Sequence, residues 1–328
     1  MKRALAVGLS LGLALPAAAA CGELGHNRPA PVVSSAGDYY DSLPLLPEPK
    51  LPDAVPPAVL RAAQALVGLS VQQPDGTAID SNGVQISPTD VLAMGHGVRS
   101  AYQPDVVPLR FHCGDVAVTE PTGKPTGHRS DGKAVYGDTV SPRQVVYEYV
   151  APSVLGDLAV LRSLPNSGTL HPIARLGGNA TLRTGQLVYE VAFGLDRTGR
   201  NLTGPHNVRA LTVPKVIAGM VVGTLAGDYG FLELKSYSRD LYGNQGTVSG
   251  NSGGELVDPR SGDVVALIEG VPNDPKHRPT NDTIATNYGV RLAGPRTKPV
   301  RFAYAQPLRT ADIRPVLAAI GAAPICTP

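Results

Sequence analysis

Gly250-Asn251-Ser252-Gly253-Gly254-Glu255-Leu256-Val257 sets a serine in a glycine-rich turn directly ahead of an apolar run. Glycine adopts backbone conformations closed to other residues, so such a turn can aim several N–H groups at one point. Here those would be the N–H groups of Gly250 and Ser252. Two earlier segments complete the pattern. Gly83-Val84-Gln85-Ile86-Ser87-Pro88-Thr89-Asp90-Val91-Leu92-Ala93-Met94-Gly95-His96 reads as strand, tight turn and second strand, with His96 at the strand end. Gly156-Asp157-Leu158-Ala159-Val160-Leu161 puts an acid just before another apolar strand.

The three residue types fit one chemistry. A serine hydroxyl is a poor nucleophile at neutral pH and needs a base within reach; imidazole has a suitable pKa. The imidazole needs an acid on its other nitrogen to hold the tautomer and stabilise the imidazolium. N–H groups of Gly250 and Ser252 would receive the oxyanion of a tetrahedral intermediate. The intervals, 157 − 96 = 61 and 252 − 157 = 95 residues, leave room for several strands between each pair. Asp115 and Asp138 also lie between His96 and Ser252, but neither precedes an apolar strand of this kind. An α/β-hydrolase would place acid and histidine after the serine, between strand and helix. The order here is the reverse, and a strand follows.

Outward from these segments, short β-type runs alternate with Gly, Pro, Asn and Asp clusters. The predicted strands are Leu66–Val71, Gly83–Ser87, Val91–Met94, Val106–Phe111, Gln144–Val150, Ala159–Arg162, Gln186–Phe193, Arg209–Val213, Glu255–Val257 and Val264–Glu269. Many short strands in a chain with 37 Gly and 31 Pro favour an all-β sandwich or barrel. Ile313, Val316, Leu317 and Ile320 follow helical spacing and predict one amphipathic helix near the C-terminus.

At these residues the sequence resembles the chymotrypsin-like serine proteases. Gly-Asn-Ser-Gly-Gly stands where the digestive enzymes have Gly-Asp-Ser-Gly-Gly. The Asn form, together with Leu182-Arg183-Thr184-Gly185-Gln186-Leu187-Val188 and Ala192-Phe193-Gly194, is similar to the bacterial Deg-type branch. The resemblance implies two six-stranded antiparallel Greek-key barrels with a C-terminal α-helix, over residues 59–328. It implies a catalytic triad of His96, Asp157 and Ser252, an oxyanion hole at Gly250 and Ser252, and protein or peptide substrates cleaved through an acyl-enzyme. Asn251 replaces the Asp that receives a freed N-terminus in the digestive enzymes, so no such activation is expected. Glu255 replaces the usual Pro, with an effect on either substrate preference or loop packing. The primary pocket would be walled by Gly246, Thr247, Ile268, Glu269 and Gly270. Gly246 at its base brings no carboxylate for a basic residue. Glu269 could face into the pocket or stand solvated at a strand end. Only 328 − 252 = 76 residues follow Ser252, so the peptide-binding module common in that branch is not expected. A protease-like scaffold without catalysis is the alternative.

The N-terminal end reads as a targeting segment. Lys2-Arg3 precedes an apolar stretch, Ala4 to Leu15, and then the small residues Pro16-Ala17-Ala18-Ala19-Ala20, predicting a signal peptide over 1–20 and an extracytoplasmic protein. Small residues before Cys21 resemble a lipobox, which would make Cys21 a lipidation site and the only membrane attachment; plain secretion after cleavage before Cys21 stays open. Cys113 and Cys326 would then be an even pair able to form a disulfide. Proline-rich 21–58 reads as an extended tether or pro-segment. A net charge of +2 without basic clusters argues against nucleic acid. With no Cys-x-x-Cys or His-x-x-x-His spacing, neither a metal site nor a cofactor is expected.

Overall fold

Twelve strands build two closed barrels. In the first, β1 (Leu66–Gln72), β2 (Ala78–Gln85), β3 (Asp90–Met94), β4 (Arg110–Thr119), β7 (Val140–Tyr149) and β8 (Leu158–Ser163) run in the order β1-β2-β3-β8-β7-β4. In the second, β9 (Leu187–Ala192), β10 (Lys215–Leu225), β11 (Asp228–Ser236), β12 (Glu255–Val257), β13 (Val264–Gly270) and β14 (Phe302–Pro307) run β10-β11-β14-β13-β12-β9. All described pairings between these strands are antiparallel. Counted within each barrel, both orders read 1-2-3-6-5-4, a Greek-key return. The remaining strands, β5 (Pro125–His128) and β6 (Ala134–Tyr136), pair as a separate hairpin. The expected chymotrypsin-like double barrel is therefore the observed one.

The computed structural model describes residues 36–72, 78–99, 110–119, 125–128, 134–136, 140–149, 157–163, 173–178, 181–193, 214–238, 245–248, 250–272, 278–310 and 313–314. The segment 1–20, Cys21, Cys326, the strand Arg209–Val213 and all but the first turn of the C-terminal helix lie outside them. So does the side chain of Cys113. Both barrels belong to the compact unit Tyr40–Pro328.

Apolar side chains facing out of both barrels meet in one core. Leu66, Val84, Leu92, Met94, Leu158 and Val160 of the first barrel pack with Tyr189, Val191, Phe193, Val257 and Leu267 of the second. Ile313 is buried in the same core, as the amphipathic reading of its segment requires. A second cluster, including Val188, Val221, Phe231, Leu256 and Ile268, belongs to the second barrel.

β10, β11 and β14 have no counterpart among the strands expected from the sequence, and for β10 the cause is its packing. β10 is buried on both faces. Val221 joins the cluster of Phe231 and Leu256, while Met220 and Val222 lie against Ile284, Val290 and Leu292. A strand covered on both sides reads as one apolar run. Its outer cover is a helix, Asn281–Tyr288, begun by a Thr280/Thr283 capping box and ended by left-handed Gly289.

From Leu43 on, the stretch read as an extended tether or pro-segment is hydrogen-bonded to later residues of the chain. Leu46 N–H donates to Arg291 O at 2.8 Å, Arg291 Nε donates to Leu43 O at 3.0 Å, and Pro52 O accepts from the Tyr237 hydroxyl and Lys235 Nζ. Proline-rich chain is short of donors but keeps its carbonyls, and three of these four bonds end on them.

Candidate active site

Strand ends deliver the three candidate residues. β3 ends at Met94, and His96 opens the short helix Gly95–Arg99. Asp157 immediately precedes β8, the neighbour of β3. Its backbone carbonyl accepts Gly95 N–H at 2.7 Å, which ties the two strand ends together. Asp157 Oδ2 accepts from His96 N–H at 3.0 Å and is in direct contact with His96 Nδ1. The imidazole thus keeps Nε2 for other work, with the His96 side chain 43% exposed and Asp157 only 13%. Gln306, on β14 of the other barrel, accepts the Asp157 N–H at 2.8 Å and fixes the acid from the far side.

Ser252 lies in the turn before β12. Its hydroxyl donates to Glu269 O at 3.0 Å and makes no hydrogen bond to His96 among the described residues. The N–H groups of Gly250 and Ser252 donate to no acceptor among the described residues. Gly250 (φ +90°) and Gly253 (φ +81°) give the turn its shape. At Gly253 a Cβ would come within 1.9 Å of Asn82 O, so the turn is seated against β2 of the first barrel as only glycine permits. Its N–H donates to Ile268 O at 2.8 Å.

The predicted pocket residues separate. The Ile268 side chain is fully buried with Leu256 and Val265 in the second barrel, because its β-position faces inward. Thr247 is also turned inward, its hydroxyl on the Glu190 carboxylate and its N–H on Glu233 Oε1 at 3.0 Å. Gly270 borders open space, since an added Cβ would meet nothing within 4 Å. Gly246 brings no carboxylate of its own, but that of Glu233 is beside it: Oε2 lies 2.8 Å from where a Gly246 Cβ would be. Glu269 is not a solvated strand-end residue. Its carboxyl is half-buried and hydrogen-bonded to that of Asp228, and burial with the neighbouring Asp228 and Asp157 charges pushes its pKa up to about 7.

Buried acids surround the turn. Burial raises Glu190 to about 7, against the opposing pull of Lys215, and raises Glu233 as well. Glu255 is fully buried; neither of its oxygens has a partner among the described residues, and desolvation holds it well above the usual carboxylate range. It pairs opposite Val191 and Leu267, both in the core between the barrels. The replacement of Pro by Glu here therefore bears on packing.

Asn82 and Lys215 escaped the sequence reading. Asn82 sits one residue before a predicted strand and looks like a turn residue, and Lys215 follows Pro214 at the head of an apolar run. The only signal was a lone lysine ahead of an apolar run at Lys215; Asn82, after Asp80 and Ser81, gave none.

No protein-family model matches the chain, and no curated protein matches it. Solved structures do. The active form of the Rv3671c protease from M. tuberculosis is 18% identical, over 87% of this chain and 92% of that one, with a TM-score of 0.45. A serine endoprotease from Yersinia pestis is 18% identical over 83% and 68%, with a TM-score of 0.41. The MamO protease domain from Magnetospirillum magneticum is 14% identical over 75% and 93%, with a TM-score of 0.42. All three are named as proteases. The chymotrypsin-like fold of the present chain is read from its own twin barrels.

Proposed function

We propose that the protein is a serine endopeptidase in which Ser252 attacks a peptide carbonyl, His96 takes and returns the proton, and Asp157 orients His96. The observation that supports this best is the double hold of Asp157 on His96, through backbone N–H and Nδ1 together. That arrangement leaves Nε2 as the base. The Ser252 hydroxyl rotates from Glu269 O to Nε2 as substrate binds. Attack forms a tetrahedral intermediate whose oxyanion is received by the Gly250 and Ser252 N–H groups. His96 then protonates the leaving amine, and an acyl-enzyme remains at Ser252 Oγ. Water, deprotonated by His96, hydrolyses that ester.

A second reading, a protease-like scaffold without catalysis, is favoured by one observation: the Ser252 hydroxyl donates to Glu269 O rather than to His96. Labelling with a fluorophosphonate separates the two. The endopeptidase reading expects labelling of the wild type that disappears in Ser252→Ala and falls at least about 1,000-fold in rate in His96→Ala. A wild type that stays unlabelled under native conditions favours the scaffold.

The location of the activity rests on sequence. The apolar segment before Cys21 supports export, with Cys21 as a lipid attachment point or as the residue after a plain cleavage site. Mass spectrometry of the mature N-terminus distinguishes a diacylglyceryl Cys21 from a free one.

A further inference from the structure

Lys215 opens β10 with no solvent exposure at all. Its Nζ donates to the carbonyl of Gly246 at 2.5 Å and to Asn251 Oδ1 at 3.1 Å. That same Oδ1 accepts Val248 N–H at 2.6 Å, and Asn251 Nδ2 donates to Phe193 O at 2.6 Å. The Asn251 N–H closes a turn onto Val248 O at 3.0 Å. Three points of the segment 246–251 therefore converge on one buried side chain and one buried carboxamide.

Burying a lysine is costly unless its donors are satisfied. Packing does not explain it, because the neighbouring positions Val216, Ile217 and Ala218 are apolar and equally buried. Charge balance explains part: Glu190 and Glu233 both feel the lysine. Balance alone would not direct two of its hydrogen bonds to the loop. Those bonds reach Gly246, ahead of the peptide carrying the Gly250 N–H, and Asn251, just after it. A loop with three glycines among its residues 246–253 has little stiffness of its own, so its shape must be imposed by what it is tied to.

We infer that Lys215 is a positioning residue for the nucleophile turn, tying Gly246 and Asn251 to β10 and so setting the backbone that aims the Gly250 and Ser252 N–H groups. Lys215 never meets substrate; it acts through the turn. The functional consequence rests on the reading of Ser252 as nucleophile, but the tie itself does not.

Two variants and two readouts test this on the full chain. Lys215→Met removes the donors. Lys215→Met with Glu190→Gln removes them while sparing Glu190 an uncompensated charge, and keeps the test alive should the single variant fold poorly. Hydrogen exchange of residues 245–254 is the first readout and needs no activity. Both variants should exchange there at least about ten-fold faster, with β1 and β3 unchanged. Unchanged protection overturns the inference. Recovery of wild-type protection in the double variant also overturns it, because the lysine would then only balance Glu190. Fluorophosphonate acylation of Ser252 is the second readout. Both variants should acylate roughly 10- to 100-fold more slowly, with kcat rather than KM affected on a peptide substrate. A labelling wild type with variants at the wild-type rate overturns the inference. A silent wild type with the exchange result intact overturns the nucleophile reading and leaves the tie standing.

Discussion

The N–H of Asn82, in the first barrel, donates to the carbonyl of Ser252, in the second, at 2.7 Å. The side chain of Asn82 adds three more bonds across the same seam. Nδ2 donates to Gly250 O at 2.8 Å and to Phe193 O at 3.3 Å, and Oδ1 accepts Phe193 N–H at 2.8 Å. One buried residue of β2 thus holds both ends of the nucleophile turn.

Asn82→Ala should be costly on two counts. It strands buried backbone groups at Phe193 and Gly250, for about 1–3 kcal/mol of stability. It also frees the Gly250 peptide, so acylation of Ser252 should slow by roughly ten-fold or more. Urea unfolding and fluorophosphonate kinetics on the same preparation measure both. Loss of stability with no change in acylation would show that the seam does not set the turn.

Gly253→Ala should be more severe. A Cβ there meets Asn82 O at 1.9 Å with φ at +81°, so overlap and backbone strain add. About 2–4 kcal/mol of destabilisation is expected, with labelling of Ser252 reduced beyond about 100-fold. Thermal unfolding and labelling test it, and a variant with wild-type acylation would refute the seating of the turn on β2.

Glu255 makes stability fall as pH rises. Its folded pKa lies above its unfolded value, so the folded state holds a proton that the unfolded state releases. The stabilising contribution is complete below the unfolded value near 4.5 and is lost as pH climbs toward the folded one, at up to about 1.4 kcal/mol per pH unit. Glu190 and Glu269, raised to about 7, act in the same direction between 4.5 and 7. Glu255→Gln should remove part of this slope and leave the protein more stable than wild type at pH 8. Urea midpoints from pH 5 to 8 check it; parallel curves for the two proteins would contradict it.

Ala226 offers the opposite case. It sits at φ +52° in the β10–β11 hairpin, ahead of Gly227 at +104°, where a side chain is strained. Ala226→Gly should gain about 0.5–1 kcal/mol. A fall in Tm would count against the strain.

How much was legible in the chain depends on range. His96, Asp157 and the turn at Ser252 could be read because each lies in its own short pattern of strand and turn residues. β10, β11 and β14 were missed; both faces of β10 are covered, which removes the alternation that marks a half-buried strand. The inward turn of Ile268 and Thr247 was hidden for a related reason: which face of β13, or which side of a loop, meets solvent depends on the barrel around it.

Local pattern and composition by themselves pointed to the all-β class and to the three residues proposed for catalysis, while the double barrel was what the resemblance to chymotrypsin-like proteases implied. Only the tertiary structure decided what holds those residues. Asn82 meets Gly250 across 168 residues of chain, Gln306 meets Asp157 across 149, and Lys215 meets Asn251 across 36. A buried polar residue is bound by whatever donor or acceptor the folded chain brings to it, and no spacing in the sequence records that partner.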